Sequence, residues 1–344
     1  MERTGVSIIT PTFNSMRTLN QYLDAIKFQS YNHNFVELII ADGGSTDGTL
    51  EFLREYTSEW DIRTMIFTNP LVTAEAGKAV GVRHATHEIV CLLDSDNIIP
   101  DENWLQRMIA PFTQPRIVAS EPISYTYRKQ DSTVNRYCAL IGMGDPLCLF
   151  LGNYDRTCLI TNKWTQVECE QVDEGDYISV RFTGDLIPTI GANGFLMRKK
   201  ELLENFDGDY LFDIDVLWEL FQKEEYYQIA KVKTGIVHLF CPDIQTFYRK
   251  QRRRIKDYLF FSDTKGRKYP WKNMQKRKIV LFSLCCVTII PLIVQSAIGF
   301  TRKRDAKAWL FHLPACWVTL WVYGWGTIMG LFKKEAASRV GWKQ

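Results

Sequence analysis

The chain has 344 residues, 24% of them charged and 46% hydrophobic, with 12 prolines and 21 glycines. That length accommodates a buried core in one large or two modest domains, and the composition excludes a disordered tail, a collagen and a disulfide miniprotein. The net charge of +3 hides an asymmetry. Residues 1–248 carry 21 Lys and Arg against 35 Asp and Glu, a net of −14, while residues 249–344 carry 21 against 4, a net of +17. Two oppositely charged parts predict two physical environments. Nine cysteines without a CxxC pair argue against a disulfide framework or a zinc site and indicate a reduced compartment.

In chain order, Val6–Thr10 reads as a buried strand stopped at Pro11, and Thr18–Ser30 has helical spacing. Phe35–Ala41 is a second apolar strand, ending in the turn Asp42-Gly43-Gly44-Ser45. Ser45 or Thr46 is the expected N-cap of a helix over Leu50–Tyr56. Arg63–Thr68 is a third strand, Ala76–Thr86 a helix, and Glu88–Leu93 a fourth strand ending at Asp94-Ser95-Asp96-Asn97. This alternation predicts right-handed βαβ units and a mostly parallel sheet. Ligands of such sheets sit beyond the carboxyl ends of the strands. The turns Pro11–Asn14, Asp42–Asp47 and Asp94–Asn97 are therefore expected to converge on one rim.

Residues 122–188 read as a variable insertion over that rim. Gly191-Ala192-Asn193-Gly194 follows, then a helix near Lys200–Asn205, then Asp213-Ile214-Asp215 opening an amphipathic helix over Val216–Lys223. Residues 249–278, with 13 Lys and Arg against 2 Asp, form a basic interfacial segment. Residues 279–300 hold no charge and residues 308–332 only His312, so each meets the roughly 20-residue requirement for a membrane helix. Trp309, Trp317, Trp321, Tyr323 and Trp325 add a partly interfacial aromatic signature. The connector between the segments, 301–307, is itself basic. Either the first basic flank outweighs it, or one or both segments are re-entrant or interfacial. A basic tail occupies 333–344. Met1 leads into the first strand with no apolar leader, so the acidic domain, 1–248, is expected on the cytoplasmic face of the cell membrane.

Asp94-Ser95-Asp96 places two carboxylates just past a buried strand, as hard oxygen ligands for Mg²⁺ or Mn²⁺ shared with substrate phosphates. Asp42–Thr49 lacks both the Gly-Lys-Ser/Thr ending of a P-loop and the GxGxxG of a dinucleotide site. Together, Pro11-Thr12-Phe13-Asn14, Ala41-Asp42-Gly43-Gly44-Ser45-Thr46-Asp47-Gly48-Thr49, Gly77-Lys78 and Leu93-Asp94-Ser95-Asp96 resemble the family 2 glycosyltransferases, in the right order and at suitable separations. The similarity extends more loosely to about residue 262.

The resemblance implies a GT-A fold, which is a Rossmann-like mixed α/β sheet, here followed by C-terminal membrane helices. It also implies a UDP- or GDP-linked sugar donor, a divalent metal and inversion at the anomeric carbon. Carried over by position, Thr12 and Asp42 contact the nucleobase in a pocket shaped by Pro11 and Asn14. Lys78 lies near the nucleotide, Asp94 meets the ribose or metal, and Asp96 ligates the metal. Asp213 falls at the position of the catalytic base, with Phe212 where the family has Glu; Asp215 is the second candidate. Gly191–Gly194 resembles the small-residue strand beneath the donor sugar. His238 is a candidate metal or diphosphate ligand. Gln251-Arg252-Arg253-Arg254-Ile255 resembles the Gln-x-x-Arg-Trp motif with Ile in place of Trp, so Gln251 and Arg254 hold the diphosphate or the basic run binds anionic headgroups. The implied reaction is sugar transfer to a lipid-linked acceptor, a polyprenyl phosphate or polyprenyl-diphosphate saccharide, at an anionic membrane. A processive polysaccharide synthase and a non-catalytic scaffold are the alternatives. No nucleic-acid partner is expected.

Overall fold

The computed structural model describes residues 4–223, 226–263, 267–270 and 276–332. The chain forms two compact units, Met1–Thr126 with Val167–Leu239, and Tyr127–Gln166 with Phe240–Gln344.

The first unit is built on ten strands: β1 (Val6–Thr12), β2 (Val36–Asp42), β3 (Arg63–Thr68), β4 (Ile89–Leu92), β5 (Asn97–Ile98), β6 (Ile117–Tyr125), β7 (Cys169–Asp173), β8 (Tyr177–Phe182), β9 (Phe195–Arg198) and β10 (Gln228–His238). Their order is β3-β2-β1-β4-β9-β6-β10-β8-β7, with β5 paired to β10. β3, β2, β1 and β4 are parallel, as are β6 and β10. β9 runs antiparallel between β4 and β6. The sheet is therefore mixed rather than mostly parallel, because the chain enters β9 from the rim, through residues 191–194, and descends. Every residue of β1 and β2 is buried, which explains their continuous apolar runs. Leu19, Tyr22, Leu23 and Ile26 on the helix Met16–Lys27 form one core with these strands and with Trp104 and Met108.

Two local expectations are corrected. Pro11 does not stop β1, which continues to Thr12; β1 pairs with β4 only as far as Ile9, so no ladder donor is required on that side at Pro11. The second helix begins at Thr49, after left-handed Gly48, and Ser45 and Thr46 do not cap it. The Asp47 carboxylate caps it instead, accepting from the Thr49 amide at 3.1 Å and hydroxyl at 2.6 Å.

Residues 122–188 are not one insertion. The run begins in β6, residues 127–166 join the second unit, and 169–182 form the β7–β8 hairpin on the sheet edge. That hairpin turns at Gly175, whose φ of 90° needs a residue without Cβ.

In the second unit, Val134, Tyr137, Ile141, Phe247, Trp309 and Phe311 form one core. Residues 279–300 do not make one straight helix. The helices Lys276–Thr288 and Ile290–Arg302 meet at about 90°, with Ile289 at φ 64°. Pro291 explains the break: it has no N–H for the Val287 carbonyl, and its ring clashes there. Residues 308–332 are likewise divided, into Ala306–Leu310 and His312–Phe332. Among the described residues no single helix is long and apolar enough to cross a membrane, although the bent pair passes by length and composition. The expected pair of membrane helices over 279–332 is thus not supported as single spanning helices, and the re-entrant or interfacial alternative for residues 279–300 stays open. Trp309 is buried against Gly299 and belongs to the core rather than an interface, whereas Trp317, Trp321 and Trp325 are exposed. The tail 333–344 and parts of the 249–278 segment (264–266 and 271–275) lie outside the described residues.

One buried ion pair crosses the middle of the sheet. Lys231 of β10 stands opposite Glu121 of β6, Nζ to Oε2 at 2.6 Å, both fully buried. Removing one member leaves the other charge in low dielectric, so Lys231→Met alone is expected to cost about 3–5 kcal/mol in denaturant unfolding.

Candidate active site

The rim is assembled by backbone register and hydrogen bonds. Thr12 lies level with Asp42, and Asp42 with Thr68, at the carboxyl ends of β1, β2 and β3. Thr12 Oγ1 donates to Asp42 Oδ2 at 2.8 Å, and Ser45 Oγ donates to the same oxygen at 2.6 Å. The amides of Gly44 and Ser45 donate to Asp42 Oδ1. Four donors fill a carboxylate's acceptor sites, so Asp42 organises this turn. Asn14, left-handed at φ 51°, ties the first turn to the second: its amide donates to Ser45 Oγ and its Oδ1 accepts from the Thr46 amide. Ser95 Oγ bonds Ser15 Oγ at 3.0 Å and brings in the third turn. The three turns thus converge.

Lys78 and Asp213, 135 residues apart in sequence, meet at the same rim. Gly77 lets the helix Ala74–His84 pack on β1, because a Cβ there would lie 2.7 Å from Cβ of Pro11. Lys78, on that helix, sends Nζ to within 2.9 Å of Asp213 Oδ2. Asp213 is the first residue of the helix Asp213–Lys223, and its Oδ1 is buried without a hydrogen-bond partner. Burial pushes the Asp213 carboxyl up to about 6, against the opposing pull of Lys78 and with a further push from Asp94. Burial disfavours the Lys78 ammonium, but Asp213 and then Asp94 outweigh it and raise its pKa. Asp213 is thus a carboxylate poised near neutrality, with one oxygen held by Lys78 and the other buried without a partner. Asp215 is also buried, but it sits two positions on, about 200° round the helix, away from this pair.

Asp94 and Asp96 follow β4. Asp96 Oδ2 lies 3.8 Å from His238 Nε2, at the end of β10, where His238 pairs with Asn97. One carboxylate and one imidazole this close are two donors for Mg²⁺ or Mn²⁺. Among the described residues no three metal-binding side chains form a ready cage. Such a site fits a cation that completes its shell with ligand oxygens. Asn97, Asn193 and Tyr125 were not identified from the sequence. Asn97 Nδ2 bonds Asp96 Oδ1 at 3.3 Å and Asn193 Oδ1 at 3.1 Å, and Asn193 Nδ2 bonds the Tyr125 hydroxyl at 2.9 Å. The Tyr125 ring lies 5.3 Å from that of His238. Their only sequence signal is position, at the strand ends.

Residues 191–194 form a turn into β9, not a strand. Gly191 has φ 113°, its amide donates to Glu121 Oε1, and a Cβ on it would lie 2.3 Å from that of Asp213. Gln251 and Arg254 belong to the second unit, where both donate to the Gly144 carbonyl at 2.7 Å and Gln251 accepts from Tyr323.

A mixed sheet with acidic turns at the carboxyl ends of its parallel strands is the GT-A glycosyltransferase fold. A mannosyltransferase, PcManGT, from Pyrobaculum calidifontis, solved in complex with GDP-Man and Mn²⁺, shares it with a TM-score of 0.55 and 17% identity over 97% of this chain and 89% of that one. Residues 7–154 match the glycosyl transferase family 2 model. Glycosyltransferase AglE of Haloferax volcanii is 24% identical over 139 residues, 40% of this chain and 45% of the relative. Chondroitin synthase of Pasteurella multocida is 30% identical over 122 residues, 35% and 12% respectively. The chain thus spans less than half the length of these curated relatives.

Gly191→Ala should strain the turn and displace Asp213, lowering stability by about 1–3 kcal/mol in denaturant unfolding. Gly184, with nothing within 4 Å, supplies the control: Gly184→Ala should leave stability unchanged in the same unfolding measurement.

Proposed function

We propose that the protein is an inverting, membrane-attached glycosyltransferase that moves a sugar from a UDP- or GDP-linked donor to a lipid-linked acceptor, a polyprenyl phosphate or a polyprenyl-diphosphate saccharide, on the cytoplasmic face. The observation that carries this reading is the buried Lys78–Asp213 pair beside Asp94 on the rim. The solved PcManGT complex with GDP-Man and Mn²⁺, and the glycosyltransferase and synthase names of the relatives, support it.

In this reading the acceptor oxygen attacks the anomeric carbon as the bond to the donor diphosphate breaks on the opposite face. A hydroxyl acceptor passes its proton to Asp213, whose buried Oδ1 has no hydrogen-bond partner. A phosphate acceptor, already ionised, needs no such transfer, which accords with Phe212 standing where the family has Glu. Asp94, Asp96 and His238 would hold Mg²⁺ or Mn²⁺, which neutralises the leaving diphosphate. Lys78 keeps Asp213 in place and adds positive charge close to the diphosphate. The lipid-linked acceptor is supported by the +17 charge of residues 249–344 and by the exposed apolar side chains they carry.

The base must be ionised to accept a proton, and its pKa is about 6. With a hydroxyl acceptor, kcat/KM should rise with pH through about 6, level off above it, and fall about tenfold per unit well below it. Asp213→Asn should remove that limb and cost about 10²–10⁴ in rate. Lys78→Gln removes the cation that opposes the upward shift, so the midpoint should move above 6. Membranes supplied with labelled UDP- and GDP-sugars, scored for lipid-extractable label, provide the assay. Full activity of Asp213→Asn toward a hydroxyl acceptor would overturn the site, and label confined to a soluble product would overturn the lipid-linked acceptor. Asp96→Asn should abolish transfer and weaken Mn²⁺ binding, read by paramagnetic resonance.

A further inference from the structure

We infer that the bent helix pair Lys276–Thr288 and Ile290–Arg302 is a re-entrant wedge that enters one leaflet of an anionic phospholipid bilayer and leaves by the same face. This rests on the membrane attachment proposed above and specifies its geometry.

Length and angle set the depth. Each arm has 13 residues and the arms meet at about 90°. At 1.5 Å per residue an arm is about 20 Å long. Two such arms inclined equally bring their apex about 14 Å below their ends, close to half of a hydrocarbon core about 30 Å thick. The wedge fits one leaflet.

The distribution of side chains matches that depth. Around the apex, Leu284, Val287 and Ile290 are 56%, 66% and 70% exposed, with Ile293 and Val294 beside them. Residues 279–301 contain no charge. The charges stand at the two open ends instead: Lys276, Arg277 and Lys278 at the start of one arm, Arg302, Lys303 and Arg304 at the end of the other, with Lys307 just beyond. A span would carry one of these clusters across the membrane. A wedge leaves both at the same headgroup layer, where each cation contributes about 1 kcal/mol on an anionic surface. Trp317, Trp321 and Trp325, spaced by four on His312–Phe332, expose one aromatic face suited to the same layer. A second copy of the chain is a poorer occupant, since it would bring two such rings of cations together.

The test uses the full chain bound to sealed phosphatidylcholine vesicles with and without phosphatidylglycerol. Flotation measures binding. A membrane-impermeant lysine ester added outside, read by mass spectrometry, then reports the sidedness of Lys276, Lys303 and Lys307, all of which are exposed in the structure. The wedge predicts flotation that needs phosphatidylglycerol, and equal labelling of all three lysines before detergent is added. Val287→Glu with Ile290→Glu, checked for folding by circular dichroism, should lower flotation about tenfold or more. Flotation with Lys303 and Lys307 protected until detergent is added would show a span, overturning the wedge and leaving membrane attachment intact. Equal flotation without phosphatidylglycerol would overturn the anionic surface. No flotation on either vesicle would overturn the attachment itself, and the wedge with it.

Discussion

The ion pair between Lys78 and Asp213 is the contact on which the site depends. It joins helices whose paired residues are 135 positions apart, and it sits where burial makes an uncompensated charge expensive. Two glycines make it possible by withholding a Cβ: Gly77 lets the first helix settle on Pro11, and Gly191 clears space beside Asp213. Glu121, bound to Lys231 across the sheet, holds the Gly191 amide in turn. The Asp213 carboxylate is thus fixed through a chain of contacts that begins in the middle of the sheet. A side chain positioned in this way keeps both its geometry and its raised pKa.

The rest of the rim is held by a second set of contacts. Asp42 has its oxygens filled by Thr12, Gly44 and Ser45, so its first contribution is the shape of the turn. Asp96 and His238 stand 3.8 Å apart, a wider separation than a hydrogen bond and one suited to sharing a cation. In the second unit, Gln251 and Arg254 converge on the Gly144 carbonyl, and Tyr323 bridges Gln251 and Asp145. There the Gln-x-x-Arg pattern fastens the helix Ile244–Asp263 to its neighbours.

The part of the first unit from β1 to β4 was legible because parallel strands are buried on both faces and announce themselves as continuous apolar runs, with the acidic turns at their ends, whereas β6, β7 and β8 fell in the run 122–188 that reads as an insertion. The errors fell where local signals compete with tertiary ones. Pro11 reads as a stop, yet β1 continues past it because one neighbouring strand has already ended. Trp309 reads as interfacial but fills the space over Gly299. The apolar run 279–300 reads as a span, and Pro291 breaks it into two arms.

By itself the sequence determined the acidic turns, the places of the first four strands along the chain, the acidic pair Asp94 and Asp96, and the division of charge between −14 and +17. These are local properties of composition and period, set by which residues can be buried in a strand or can end one. Only the tertiary structure decided that Asp213 is held by Lys78 while Asp215 faces elsewhere, that Asn97, Asn193 and Tyr125 support the Asp96–His238 pair, and that residues 127–166 belong with the C-terminal helices. Such pairings depend on distances between residues far apart in the chain, and those distances arise only when the sheet and helices pack.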